Sequence, residues 1–258
     1  MEQLVDEMRP GPSAAVVSGA ASGVGLATTR RLLARGLQVI GVDLAPRPDD
    51  LTGDVAWVQG STADPGTWSA ALDAAPTPPT VVVLNAAVLI TGSVLDLSPE
   101  DWQRQFDVNV TGPFHALRTL LPPMIAAGGG SVVTIASVDA YQAEQELVGY
   151  CSSKGALLQL TRCVAMDHAR QGVRANCIAP GVIDTPFFRR HLDTAADPAR
   201  FLEVREQRNP MGRLLTPDDV ASTVEHVALD ASGMTGALIT VDGGLSTSFD
   251  FRTGRDGD

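Results

Sequence analysis

Short apolar, β-rich runs alternate with longer helical patterns along almost the whole chain, and this alternation restricts the fold more than any other feature. Ala14–Ser18, Gln38–Val42, Val55–Gln59, Thr80–Leu84, Ser131–Ala136, Arg174–Ile178 and Leu238–Val241 read as strands. Gly23–Arg35, a segment after Pro99, Tyr150–Arg170 and Thr216–Asp230 read as helices. The last is opened by a threonine cap, a proline and first-turn acids. The valine run in Thr80–Leu84 suits a strand covered on both faces. Such alternation predicts an α/β fold: a seven-stranded parallel sheet, right-handed crossovers, and helices on both faces.

Length and composition narrow the classes further. A chain of 258 residues suits one α/β domain spanning 1–258. Residues 1–12 and 249–258 read as flexible tails, Ala75–Pro79 as a surface loop, and 185–210 as a polar, partly helical segment. No apolar run approaches the ~20 residues of a membrane helix. Met1–Pro12 lacks the basic start and apolar stretch of a secretory signal, so a cytoplasmic location is the default. The net charge of −11 disfavours nucleic acid as a partner. Cys151, Cys163 and Cys177 are odd in number and lack metal-like pairing, which points away from disulfides, zinc and any other metal site. The four histidines, His115, His168, His191 and His226, are scattered and read as surface or packing residues.

The first strand runs into Ser18-Gly19-Ala20-Ala21-Ser22-Gly23-Val24-Gly25. Glycines there let the backbone approach a pyrophosphate, and the helix that follows presents free N–H groups and its positive dipole end. The same turn in isolation would serve tight packing; its place at the first strand–helix junction favours a dinucleotide. Asp43 ends the second strand, where an acid accepts hydrogen bonds from ribose hydroxyls and repels a 2′-phosphate. That favours NAD(H) over NADP(H). Arg47 is close enough in sequence to weaken the preference, since a movable arginine accepts phosphate.

A second cluster is Tyr150-Cys151-Ser152-Ser153-Lys154. Positions i and i+4 share a helix face, so the Lys154 ammonium can stand near the Tyr150 hydroxyl. A nearby cation favours phenolate and would lower the tyrosine toward working pH, where an acid/base is most useful. Ser137 ends the fifth strand, at the carboxyl edge where open α/β sheets bind ligands, and could hold a substrate oxygen beside Tyr150.

With these residues in this order, the sequence resembles the short-chain dehydrogenase/reductase family from about Ser13 to Leu245. The motifs are the Gly19/Gly23/Gly25 turn, Asn85-Ala86-Ala87, Asn109 in Val108–Gly112, Ser137, Tyr150/Lys154, Pro180–Thr185 and Val241–Gly244. The resemblance implies a Rossmann-type domain and an NAD-dependent oxidoreductase acting on an alcohol or ketone, commonly a homotetramer. It implies Tyr150 as acid/base, with Lys154 binding the nicotinamide ribose and lowering the Tyr150 pKa. Ser137 would orient the substrate oxygen, and Asn109 would hold a water that relays protons to Lys154. Ser22, Val24, Leu44, Ala86, Pro180, Gly181, Ile183 and Thr185 would join the glycines, Asp43 and Asn85 around the cofactor. Two positions depart from the pattern: Ala87 replaces a common glycine, and Ser61-Thr62 stands where an acid followed by an apolar residue often frames the adenine.

The substrate pocket is expected to draw on Ser137, Asp139, Gln145, Tyr150 and Val182, under a lid at 185–210. Asp139, Gln142, Glu144 and Gln145, with Arg189, Arg190 and His191 in the lid, suit a sugar, cyclitol or diol; plain solvation of loop surfaces explains them as well. Phe187, Phe188 and Leu192 leave a lipid or steroid pocket open. The rival readings are an NADPH-dependent ketone reductase of the 3-oxoacyl type and a catalytically silent dinucleotide-binding regulator.

Overall fold

The computed structural model describes residues 13–247. Its seven strands form one all-parallel sheet in the order β3-β2-β1-β4-β5-β6-β7. The strands are β1 Ala14–Ser18, β2 Gln38–Asp43, β3 Val55–Gln59, β4 Pro79–Leu84, β5 Gly130–Ile135, β6 Val173–Pro180 and β7 Leu238–Val241. The helices are α1 Gly23–Ala34, α2 Pro65–Asp73, α3 Pro99–Phe106, α4 Gly112–Ala126, α5 Val148–His168, α6 Pro186–Leu192, α7 Pro198–Arg208 and α8 Pro217–Leu229. Among the described residues no helix is long and apolar enough to cross a membrane. The two expected flexible tails, 1–12 and 249–258, lie outside the described residues.

Successive residues of a strand point to opposite faces, and the core divides accordingly. Ala14, Val16, Val82 and Leu84 face Trp68, Leu120, Met124 and Ala165 of α2, α4 and α5. Ala15, Val17, Val81 and Val83 face Leu32, Val220, Val224 and Val227 of α1 and α8. Every residue of β1 is buried, as a strand covered on both sides requires.

One expectation needs correcting. The segment after Pro99 is two helices, not one. They meet at a wide turn, Asp107–Thr111, whose i+5 hydrogen bonding turns Asn109 inward until it is fully buried. The segment 185–210 holds α6 and α7, each with a proline in its first turn behind an oxygen-bearing cap, Thr185 or Asp197.

Strand order reverses direction between β1 and β4, so their onward connections leave on opposite faces and a crevice opens above the carboxyl ends. Ser18 and Asn85 close its floor. Ser18 Oγ accepts from the Asn85 and Ala86 N–H groups at 3.0 and 3.1 Å. Asn85 Nδ2 donates to the Ser18 and Gly19 carbonyls at 3.1 and 3.2 Å. The glycine turn is packed onto this brace: a Cβ on Gly25 would stand 2.0 Å from the Gly19 carbonyl oxygen and 2.6 Å from Asn85 Nδ2. Neither neighbour can yield without moving the turn. Gly25→Ala is therefore expected to destabilise the protein by ~1–3 kcal/mol, as overpacking does. It should also weaken dinucleotide binding. Thermal unfolding and cofactor titration of the variant check both.

Candidate active site

A cavity of about 1110 Å³ occupies the crevice. Of the residues expected to bind cofactor or substrate or to act in catalysis, Arg47, Arg189 and Leu192 do not line it, and neither do Gly25 and Asn109; the others do. Gly25 and Asn109 are buried behind its wall.

At one end lies the glycine turn. Gly19 and Gly23 have positive φ, 66° and 53°, a conformation that L side chains rarely adopt. A Cβ on Gly19 would stand 3.0 Å from Ala86 Cα, and one on Gly23 would stand 3.1 Å from Thr185 Cγ2. Ser22, before α1, makes no side-chain cap, so the first-turn N–H groups of that helix face the cavity free of one. Bare backbone, a helix N-terminus and room for an extended molecule fit a dinucleotide.

Asp43 borders the same end. Its carboxylate is held by the N–H groups of Ala21 and Ala45, each at 2.9 Å. Leu44 beside it is largely exposed. Arg47 is not free to reach a phosphate: it donates to the Val55 and Leu51 carbonyls at 3.0 and 2.6 Å. Ser61 Oγ accepts from Ala63 N–H at 3.3 Å, and the Thr62 carbonyl accepts from Trp68 Nε1 at 2.8 Å. Thr185 Oγ1 accepts from Phe188 N–H at 3.1 Å and so caps α6.

The chemistry-bearing groups stand at the other end. Tyr150 and Lys154 lie on α5, both buried. Lys154 Nζ is 5.5 Å from the centre of the Tyr150 ring and donates to the Ile135 carbonyl at 2.8 Å. Burial pulls Lys154 down to about 8. Burial also pushes the Tyr150 hydroxyl well above its ordinary range. The Asp139 charge adds to that, and the Ser137 hydroxyl opposes it. This corrects the expectation of a lowered tyrosine. In the protein alone, desolvation of the phenolate outweighs a lysine that is itself desolvated and tied to a carbonyl.

Ser137 precedes a short 3₁₀ turn, Val138–Ala140. Its Oγ donates to Asp139 Oδ2 at 3.0 Å and accepts from the Asp139 N–H at 3.2 Å. Asn109 acts as a clamp: its side chain accepts from Val88 N–H and donates to the Val88 carbonyl and Ser153 Oγ, all at 2.9 Å.

The main contact of the segment 185–210 was not legible in the sequence. Arg205 of α7 pairs with Glu144, and its guanidinium lies 3.4 Å from the centre of the Phe201 ring. Phe201 in turn meets His191 edge-on, with ring centres 5.3 Å apart. His191 thus lines the cavity instead of the surface, and burial lowers its pKa. Phe187 stands 6.4 Å from Tyr150, ring centre to ring centre. Only the aromatic and basic character of 185–210 hinted at this arrangement; its pairing with Glu144 spans the fold.

A family model described as enoyl-(acyl carrier protein) reductase matches residues 19–246, carrying every one of these motifs. The chain is a short-chain dehydrogenase/reductase. It is 33% identical over 244 residues to cis-4-hydroxycyclohexanecarboxylate dehydrogenase of Sinomonas cyclohexanicum, covering 90% of this chain and 96% of that one. It is 37% identical over 250 residues to 2-(R)-hydroxypropyl-CoM dehydrogenase of Xanthobacter autotrophicus, covering 89% and 96%. The aldohexose dehydrogenase of Thermoplasma acidophilum superposes with a TM-score of 0.86 at 30% identity, over 95% of this chain and 98% of that one. The dehydrogenase is thus an oxidoreductase that acts on alcohol groups with a nicotinamide dinucleotide.

The buried lysine has a measurable consequence. Its folded pKa of about 8 lies below the ordinary 10.5. Between those values the unfolded chain binds more protons than the folded one, so stability rises with pH. Wild type should therefore gain stability relative to Lys154→Met as pH rises from about 8 toward 10.5. Urea unfolding of both proteins across that window reads the difference; a constant gap would refute it.

Proposed function

We propose that this dehydrogenase prefers NAD to NADP and interconverts a secondary alcohol and a ketone on a small hydroxylated molecule, such as a sugar, a cyclitol or a diol. The observation that carries the reading is the convergence of Tyr150, Ser137 and Lys154 on one end of a cavity whose other end is a glycine turn. Asp43 supports the cofactor preference, because a fixed carboxylate accepts from ribose hydroxyls and repels a 2′-phosphate. Arg47 does not offset it, being tied to two carbonyls. Support for the substrate class comes from the polar wall of Asp139, Gln142, Glu144 and Gln145. The related hydroxycyclohexanecarboxylate and aldohexose dehydrogenases are named for hydroxylated rings.

When bound, the oxidised nicotinamide would supply the hydride acceptor and a positive charge that favours the Tyr150 phenolate, the form that can take a proton. The chain does the rest. Tyr150 Oη takes the alcohol proton in oxidation and returns it in reduction. Lys154 passes that proton onward; a water linking it to Asn109 would be held by the Asn109 main chain, since the side chain is engaged with Val88 and Ser153. Ser137 steadies the charge that develops on the reacting oxygen. The segment 185–210 covers the substrate end, with Phe187 and Phe188 excluding water.

The assembly is proposed as a homotetramer in the cytoplasm. Exposed Trp102, Phe114 and Met166, on α3, α4 and α5, supply apolar surface for such contacts. Light scattering after gel filtration tests the stoichiometry.

Removing the acid/base tests the mechanism. Tyr150→Phe should cut turnover by ~10²–10⁴-fold, the range for a lost proton transfer. Near-wild-type turnover by that variant would sink the reading. For the cofactor, kcat/KM with NAD should exceed that with NADP by at least about tenfold, and Asp43→Asn should narrow the gap, given the ~1.5–3 kcal/mol of a hydrogen bond to a charged group.

A further inference from the structure

The hydroxyl of Ser137 has one proton, and Asp139 holds it. Ser137 Oγ donates to Asp139 Oδ2 at 3.0 Å and accepts from the Asp139 N–H at 3.2 Å. One lone pair remains on Oγ. So arranged, Ser137 can accept a hydrogen bond from the substrate but cannot donate one. Ketone reduction needs a donor at the reacting oxygen, because negative charge grows there. Tyr150 supplies one such donor, and an ionised Asp139 disables Ser137 as the second.

We propose that Asp139 is a specificity-determining residue that withholds the Ser137 proton until a second substrate hydroxyl, on the carbon next to the reacting one, donates to its carboxylate. The proposal rests on the oxidoreductase reading above and deepens it. The new donor neutralises part of the charge that captures the Ser137 proton, and Ser137 turns to the reacting oxygen. Ser137 Oγ and Asp139 Oδ2 stand 3.0 Å apart, close to the spacing of the two oxygens in a gauche 1,2-diol. Reacting and neighbouring oxygens can thus bond side by side, one to each. A simple ketone has nothing to offer Asp139 and meets a serine without a proton to give.

Protonating Asp139 should have the same effect. The groups facing its carboxyl are Ser137 and Glu144 on its own segment, Tyr150, Cys151 and Lys154 on α5, and Arg205 on α7. Burial and the Glu144 charge push the carboxyl up to about 6, against the pull of Ser137, Lys154 and Arg205. Below that value the carboxyl is neutral and releases Ser137. Tyr150 keeps its proton throughout this range, since burial raises it.

The test compares reduction of cyclohexanone and 2-hydroxycyclohexanone by wild type, Asp139→Ala and Asp139→Asn, with NADH. Wild type should reduce the hydroxyketone with a kcat at least about tenfold higher, the effect of one hydrogen bond to a charged group. In both variants the ratio should fall toward one, with cyclohexanone turnover gained. Wild-type cyclohexanone reduction should rise as pH falls through about 6, and the rise should vanish in the variants. A ratio and pH profile unchanged in the variants would overturn the proposal, and a uniform loss on both ketones would mark a merely structural role and overturn it too. Were wild type inert toward every ketone and alcohol, the oxidoreductase reading itself would have failed. The hydrogen bond is then read by NMR titration of the Asp139 carboxyl: Ser137→Ala should raise its midpoint, and no shift would overturn the Ser137–Asp139 coupling.

Discussion

The brace between Ser18 and Asn85 carries the rest of the architecture. At the β1–β4 junction the chain departs in opposite directions, and nothing in a parallel ladder holds the carboxyl ends of those two strands in register beyond their last paired residues. Four hydrogen bonds, two to Ser18 Oγ and two from Asn85 Nδ2, do so. They hold the Gly19 carbonyl against α1, and the missing Cβ of Gly25 lets that carbonyl approach. Loosening the brace would move the glycine turn relative to Ala86 and Ala87, which form the facing wall of the same cavity. The cofactor cradle is in this sense a by-product of how the sheet is closed at its switch point.

A single force, desolvation, then sets the charge states at the far end. Lys154 is pulled down while Tyr150 and Asp139 are pushed up, each chiefly by burial. The Lys154 ammonium and the Asp139 carboxyl, far apart in pKa in water, are brought closer together, while the Tyr150 phenol, which in water titrates beside an ammonium, is driven away from both. Charge introduced by a ligand therefore acts on a lysine and a carboxyl already displaced toward neutral pH, where a modest field has a large effect, and a positive charge favours the Tyr150 phenolate that burial disfavours. The α7 contact tempers this: Arg205, stacked on Phe201 and paired with Glu144, places a positive charge that opposes the rise of Asp139.

The sheet is legible because its strands are written as short apolar, β-rich runs: the pattern bounds the fully buried Ala14–Ser18 to the residue, and the half-buried edge strands Val55–Gln59 and Leu238–Val241 as well. Helix α2 is absent from the sequence reading, and α6 and α7 enter it only as an unbounded, partly helical segment. Each is short, and their apolar faces are narrow; the legible signal was the pair of cap and proline, Asp64-Pro65, Thr185-Pro186 and Asp197-Pro198. The same signal was read correctly at Thr216-Pro217. For the site, i,i+4 spacing places Tyr150 and Lys154 together without any tertiary knowledge. The direction of the tyrosine shift was not legible, since it depends on how deeply α5 is buried. Nor was the Glu144–Arg205 contact, whose partners are far apart in sequence and joined only by the docking of α7.

The loop bearing Asp139 and Glu144 is fixed at both ends, and this bears on how selectivity is encoded. At one end Ser137 caps the turn that begins it. At the other, Glu146 adopts φ 61°, the sole positive φ of a non-glycine residue among those described. Its carbonyl accepts from Gly92 N–H at 2.6 Å, and Gly92 bridges to Leu147 at the entry to α5. A left-handed glutamate is strained by ~1–3 kcal/mol, and such strain persists only where surrounding contacts over-determine the backbone. Glycine would relieve it, yet would also free the hinge that sets where α5 begins and hence where Tyr150 stands. With its ends pinned in this way, the loop presents Asp139 from a defined backbone position. Differences in substrate choice are then expected to reside in the identity of its side chains and in the docking of α7, with little contribution from movement of the loop itself.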